Sequence, residues 1–180
     1  MHQFQVWLVD AINTHSPVAG LMRTAWAWPI AESLHFIGLT LLVGTIGAFD
    51  LRLLGLGRRI PIGAMHRFIP LGIAGFALNV CTGLLFLLTD PDQYIFNPSF
   101  HFKLLCLAIA GLNAGAFYVT SFRHVCRQAT YDAPPRARII AAISLCAWMG
   151  VITGGRLLTF YRPGPCPEHP QTLLLECDPR

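Results

Sequence analysis

The sequence predicts an all-α integral membrane protein: a four-helix transmembrane bundle with a short interfacial N-terminal helix. Three observations predict it. Of the 180 residues, 54% are hydrophobic and only 12% are charged, and the mean hydropathy is +0.53; a soluble domain of this size carries more charge. The apolar residues gather into runs of about 20 or more, the length that a hydrocarbon core requires. The arginines collect in the short segments between those runs.

The length allows one transmembrane domain, residues 25–161, preceded by an amphipathic segment 1–24 and followed by a tail 162–180. Met1–His15 lacks a basic leader and is not expected to be a signal peptide. Its segment Phe4–Ile12 places Phe4, Trp7, Leu8, Ala11 and Ile12 on one side, the pattern of an interfacial helix. A soluble cap helix is the alternative.

The four spans are expected at about 28–54, 68–88, 100–122 and 138–160. Pro29 is expected to start the first, which would put Glu32 in its first turn, where the helix dipole favours an anion. Asn97-Pro98 reads as an N-cap followed by a first-turn proline, so the third helix is expected to open at Pro98. Gly111 with Gly115, Gly150 with Gly154, and Gly44 with Gly47 are expected to mark close helix contacts.

Charge sets the orientation. Arg52, Arg58, Arg59 and Arg67 surround the first inter-helix turn, and Arg123, Arg127, Arg136 and Arg138 surround the third. The positive-inside rule puts both turns in the cytoplasm and both termini outside, in a bacterial inner membrane. Trp26, Trp28, Tyr94, Phe160 and Tyr161 then form an outer aromatic belt. The lipid bilayer is the expected partner of the spans. The formal charge of +4 follows this topology rather than a nucleic-acid surface. Cys166 and Cys177 fall in the outer tail, where they are expected to pair as a disulfide around His169, the alternatives being two free thiols or soft ligands together with His169. No P-loop, strand-linked GxGxxG or CxxC is present, so an enzyme acting on a soluble substrate is not expected.

Ionisable residues inside a span are expensive and mark function by default. At helical spacing, Glu32, His35, Leu39, Leu42, Ile46 and Asp50 share one stripe of the first span. Gly75, Asn79, Thr82 and Phe86 do so on the second. Lys103, Cys106, Ala110, Asn113, Phe117, Thr120 and His124 follow on the third, and Cys146, Met149, Thr153 and Arg156 on the fourth. With the stripes facing inward, Glu32, His35, Lys103 and Arg156 form one outward-opening cluster. In that cluster Lys103, a cation near a helix N-terminus, takes Glu32 as its anion.

That cluster is the candidate cofactor site. His35 is the expected ligand or proton carrier, Glu32 orients it, and Lys103 with Arg156 holds an anionic group such as a haem propionate. A bis-histidine haem b would need His35 with His101, yet His101 lies about 200° around the helix from Lys103. Copper would draw on the soft set His35, Cys106 and Met149. The bland reading of the cluster is an ion network that sets helix register.

The strings Glu32-Ser-Leu-His35-Phe-Ile-Gly38, Asp50-Leu-Arg-Leu-Leu-Gly55, Asn97-Pro-Ser-Phe100-His-Phe-Lys103 and Gly155-Arg156 with Tyr161 resemble an uncharacterised bacterial family of small four-helix inner-membrane proteins. More distantly they are similar to the membrane domain of copper-resistance protein D. The resemblance covers residues 25–161 and implies the four-helix fold. Its distant arm implies copper movement at the inner membrane, although this chain has four spans and no methionine-rich outer loop.

The expected function is therefore an inner-membrane protein whose outward cluster binds a metal or redox cofactor, or a periplasmic partner carrying one. The alternatives are a structural anchor or assembly subunit without cofactor, and a small-solute or ion transport component that would need to form a homo-oligomer.

Overall fold

The computed structural model describes residues 2–15, 18–126 and 132–161. Among these residues the chain is helical, with no strand. The elements are α1 (His2–His15), α2 (Val18–Met22), α3 (Ala27–Leu54), α4 (Ile62–His66), α5 (Ile69–Thr89), α6 (Pro91–Ile95), α7 (Pro98–Thr120), α8 (Phe122–Cys126) and α9 (Pro135–Leu157). Ala27–Leu54, Ile62–Thr89, Pro98–Thr120 and Pro135–Leu157 are long and apolar enough to cross a membrane. The chain is thus a multi-pass, all-α membrane protein. The pair Cys166 and Cys177 lies outside the described residues.

Local chemistry explains the boundaries. Asn97 caps α7: its Oδ1 accepts from the Ser99 N–H at 2.9 Å, and Pro98 occupies the first helical position. The expected start at Pro98 is therefore observed. α3 starts earlier than Pro29 would place it, which moves Glu32 out of the first turn. It ends where Gly55, at φ 107°, enters the left-handed region open to glycine. The Gly55 and Leu56 N–H groups then donate back to the Arg52 and Leu51 carbonyls, at 3.1 and 3.0 Å. Arg52 turns into the loop beyond, donating from Nε to the Ile60 carbonyl at 2.6 Å and from Nη2 to the Arg58 carbonyl at 3.2 Å. α9 begins three residues before the expected 138 because Pro135 fits its first turn, where no N–H is required.

Packing runs from α5 to α3, from α3 to α9 and from α9 to α7, while α5 and α7 do not pack along one another. The long helices alternate in direction, so the bundle has an arginine end, with α4 and α8, and an opposite end carrying α6. An apolar cluster of Phe49, Leu53, Ile62, Phe117, Val125, Ala133, Ala137 and Ala141 holds the arginine end. At the α6 end, Val9 of α1 is buried with Ile95 and Phe96. The other side of α1 leaves Phe4 and Trp7 exposed and stacked on each other.

Close approach in lipid needs small residues, because apolar tails compete with apolar side chains for the same contacts. The α3–α5 crossing is built on Gly38, Gly72 and Gly75: a Cβ at Gly75 would lie 2.6 Å from the Gly38 carbonyl oxygen. The α7–α9 crossing uses Gly150 against Cys106 and Gly154 against Lys103. Of the expected small-residue pairs, only Gly150 with Gly154 marks such a crossing. A Cβ at Gly44, Gly111 or Gly115 would meet no atom within 4 Å, and one at Gly47 would reach only Leu145 at 4.0 Å.

Candidate functional site

His35 is the half-buried centre of the α6-end site. One turn of α5 faces it. The His35 Nδ1 lies 2.7 Å from the Thr82 Oγ1, and Thr82 is buried. The Thr82 hydroxyl hydrogen is already committed, since Oγ1 donates to the Leu78 carbonyl at 2.8 Å and also lies 3.3 Å from that of Asn79. In the tautomer that satisfies both contacts, Thr82 accepts from His35 and Nδ1 is the protonated nitrogen. In the neutral ring, Nε2 is left with its lone pair, and no hydrogen-bond partner contacts it among the described residues.

The surroundings hold the ring in place. Phe86 meets it edge-on at 5.7 Å and packs in turn, tilted, against Trp28 at 5.0 Å. The ring lies against α5 at Gly83, where a Cβ would stand 3.9 Å from Cε1, an ordinary contact distance. Lys103 approaches from α7, close enough for its charge to act on the imidazole. Its stem packs on Gly154, and its Nζ lies 3.9 Å from the position of a Gly155 Cβ. His35 and Lys103 are thus brought together where α5 and α7 leave the bundle unclosed.

The rest of the expected cluster is not brought together. Glu32 is exposed, although only one turn before His35, and Arg156 is exposed beyond the Lys103 contact. Among the described residues neither forms an ion pair with Lys103. The reason is angular: three residues advance a helix by about 300°, so Glu32 stands about 60° off the His35 direction. That suffices to turn it out of a tight α3–α5 contact.

The soft-ligand set His35, Cys106 and Met149 does not converge. Cys106 is buried against Gly150 of α9, and Met149 is 60% exposed. Among the described residues no three His, Cys, Asp or Glu side chains form a group able to hold a metal ion. The bis-histidine pair also fails, because His101 is exposed while His35 points inward. His66 sits at the arginine end, with Nε2 3.2 Å from the Tyr118 hydroxyl.

The fourth span accounts for most of these misplacements. Its buried face is Ala137, Ala141, Ser144, Ala147, Val151 and Gly154, whereas Cys146, Met149, Thr153 and Arg156 are exposed. Small residues rather than polar ones take the inward face, because helix association in lipid rests on close backbone packing. The same spacing of Ala, Ser and Gly was visible in the sequence and would have pointed to Ser144. That residue lies beside the Asp50 carboxylate across the α3–α9 contact.

No family model, curated protein or solved structure matches this chain.

Proposed function

We propose that this membrane protein binds a haem-type group, an iron centre with carboxylate arms, at the α6 end of the bundle. By the positive-inside rule that end faces the periplasm. One observation carries the reading: His35 Nδ1 lies 2.7 Å from a Thr82 hydroxyl that also reaches the Leu78 carbonyl at 2.8 Å, and the tautomer that satisfies both contacts presents Nε2 as a lone-pair donor. Metal-ligating histidines are commonly held in this manner, with the far ring nitrogen donating to a fixed acceptor.

The residues present fit one imidazole ligand rather than two. His35 would supply the nitrogen ligand and Lys103 the countercharge for a carboxylate, with Trp28 and Phe86 as apolar walls. The bound group would supply one-electron redox chemistry. The chain's own part is to orient Nε2 through Thr82, to shield it from water with the two aromatic rings, and to place one cation beside it. A periplasmic partner carrying such a group is a second way to satisfy the same two side chains.

A structural anchor is favoured by a separate observation: the His35–Thr82 bond also joins α3 to α5 and sets their register. The two readings part in one experiment. Full-length protein purified in detergent from haem-replete cells is expected to show a Soret band, which His35→Ala abolishes. Thr82→Val keeps the side-chain shape but removes the acceptor, and is expected to weaken haem affinity about 10–100-fold, as loss of such a supporting bond does. A wild-type sample without a Soret band, whose His35→Ala variant merely melts at a lower temperature, would establish the anchor instead.

A further inference from the structure

A second polar site lies at the arginine end, on the same helix as His35 but fifteen residues further along, about 22 Å at 1.5 Å per residue. Asp50 is 5% exposed and is neighboured in sequence by the buried Phe49 and Arg52. Ser144, itself buried on α9, lies beside the carboxylate across the α3–α9 contact. The carboxylate oxygen Oδ2 is buried and has no hydrogen-bond partner among the described residues.

Among the described residues, no charged side chain forms an ion pair or hydrogen bond with Oδ2. Arg52 commits Nε and Nη2 to the turn carbonyls of Ile60 and Arg58. On α4, His66 is engaged with Tyr118. On α9, Arg138 has its buried Nε without a hydrogen-bond partner and makes no bond to Asp50. α5 carries no Asp, Glu, Lys, Arg or His along Ile69–Thr89. A bare carboxylate oxygen sealed between helices is strongly unfavourable, because neither water nor a counter-ion offsets the lost hydration. Such residues within spans mark ion or proton pathways by default.

We propose that Asp50 and Ser144 form a binding site for a small monovalent cation, a proton or an alkali-metal ion, which sits on Oδ2. The shared chemistry is neutralisation of one carboxylate whose Oδ2 is buried without a partner, with the Ser144 hydroxyl as the neutral polar group beside it. The site is independent of the His35 reading and survives its failure.

The test uses full-length protein in detergent and has two arms. In an infrared difference spectrum of wild type against Asp50→Asn, a proton on Oδ2 gives a carbonyl stretch of a protonated carboxylic acid that the variant lacks. In the second arm, sodium, lithium or potassium chloride replaces choline chloride at constant ionic strength. A bound alkali ion then raises the wild-type melting temperature and leaves that of Asp50→Asn unchanged. Ser144→Ala keeps the acid in case Asp50→Asn does not fold. It is expected to shift the carbonyl band, or to raise the half-maximal salt concentration about tenfold, as loss of one hydrogen bond to a charged group does. Overturning results are a wild-type spectrum with only the ionised carboxylate together with identical melting in every salt, or a Ser144→Ala variant unchanged in both arms.

Discussion

Gly75→Ala is expected to force α3 and α5 apart and to destabilise the bundle by roughly 1–3 kcal/mol, the usual range for overpacking a tight contact. The added methyl would stand 2.6 Å from the Gly38 carbonyl oxygen, 2.9 Å from the Leu41 Cβ and 2.9 Å from the Leu42 nitrogen. Two of those atoms belong to the backbone of α3, so no side-chain rotation relieves the clash. The gain in helix propensity from Gly to Ala, about 1 kcal/mol, works in the opposite direction and is the smaller effect. Gly111→Ala is the matched control on α7: nothing lies within 4 Å of its Cβ position, so only the propensity gain operates. Thermal unfolding of the two variants in the same detergent should move in opposite directions. A Gly75→Ala protein as stable as wild type would contradict the α3–α5 crossing. Because His35 and Thr82 face each other across that crossing, Gly75→Ala is also expected to lengthen their hydrogen bond.

Asn97→Ala is expected to have a comparable effect at the α6 end. Asn97 is 0% exposed and does two jobs at once. Its Oδ1 caps α7 through the Ser99 N–H, and its Nδ2 donates to the Leu158 carbonyl at 3.2 Å, tying the start of α7 to the end of α9. Loss of a cap costs about 1 kcal/mol, and a buried carbonyl left without its donor about 1–3 kcal/mol. The sum, roughly 2–4 kcal/mol, should appear as a lower unfolding midpoint. Asn97→Ser separates the two roles, since a serine retains the cap while its shorter side chain loses the reach to α9. Its midpoint should fall between those of wild type and Asn97→Ala. If serine proves no better than alanine, the cap contributes nothing and the stabilisation lies wholly in the bond to Leu158.

Both variants act close to the candidate site, and this shapes how they bear on function. Lys103 reaches His35 from α7, whose first residues are held by Asn97. Loosening that end displaces the cation, whereas Gly75→Ala displaces the imidazole. A haem-type group needing both should be weakened by either change, while Gly111→Ala leaves its affinity as it was.

The spans were legible because they follow from single-residue properties. Each needs only length and apolar content, and the Asn97-Pro98 cap and the glycine after Leu54 are local signals that act within one turn. His35, Thr82 and Lys103 were legible as inward residues for a related reason: each shares a three-and-four stripe with a buried neighbour, Leu42, Gly75 and Cys106 respectively. The inward faces of α3, α5 and α7 therefore came out largely as expected. α9 did not. Its polar residues and its small residues occupy opposite faces, and the rule that polar groups turn inward competes there with the need for close backbone packing. Packing prevailed, so Met149 and Arg156 face outward and Ser144 faces Asp50.

Hydrophobic length and helical period are properties of the chain alone, and they make this a multi-pass helical protein with ionisable groups inside its spans. Which of those groups meet depends on how the helices pack. Glu32 and His35 are one turn apart, yet a rotation of about 60° places one outside and the other against Thr82. Asp50 and Ser144 are far apart in sequence and meet only because α3 and α9 pack together at the centre of the bundle. Helix rotation and choice of neighbour depend on how glycine-lined grooves fit together, a pairwise quantity that no single helix carries.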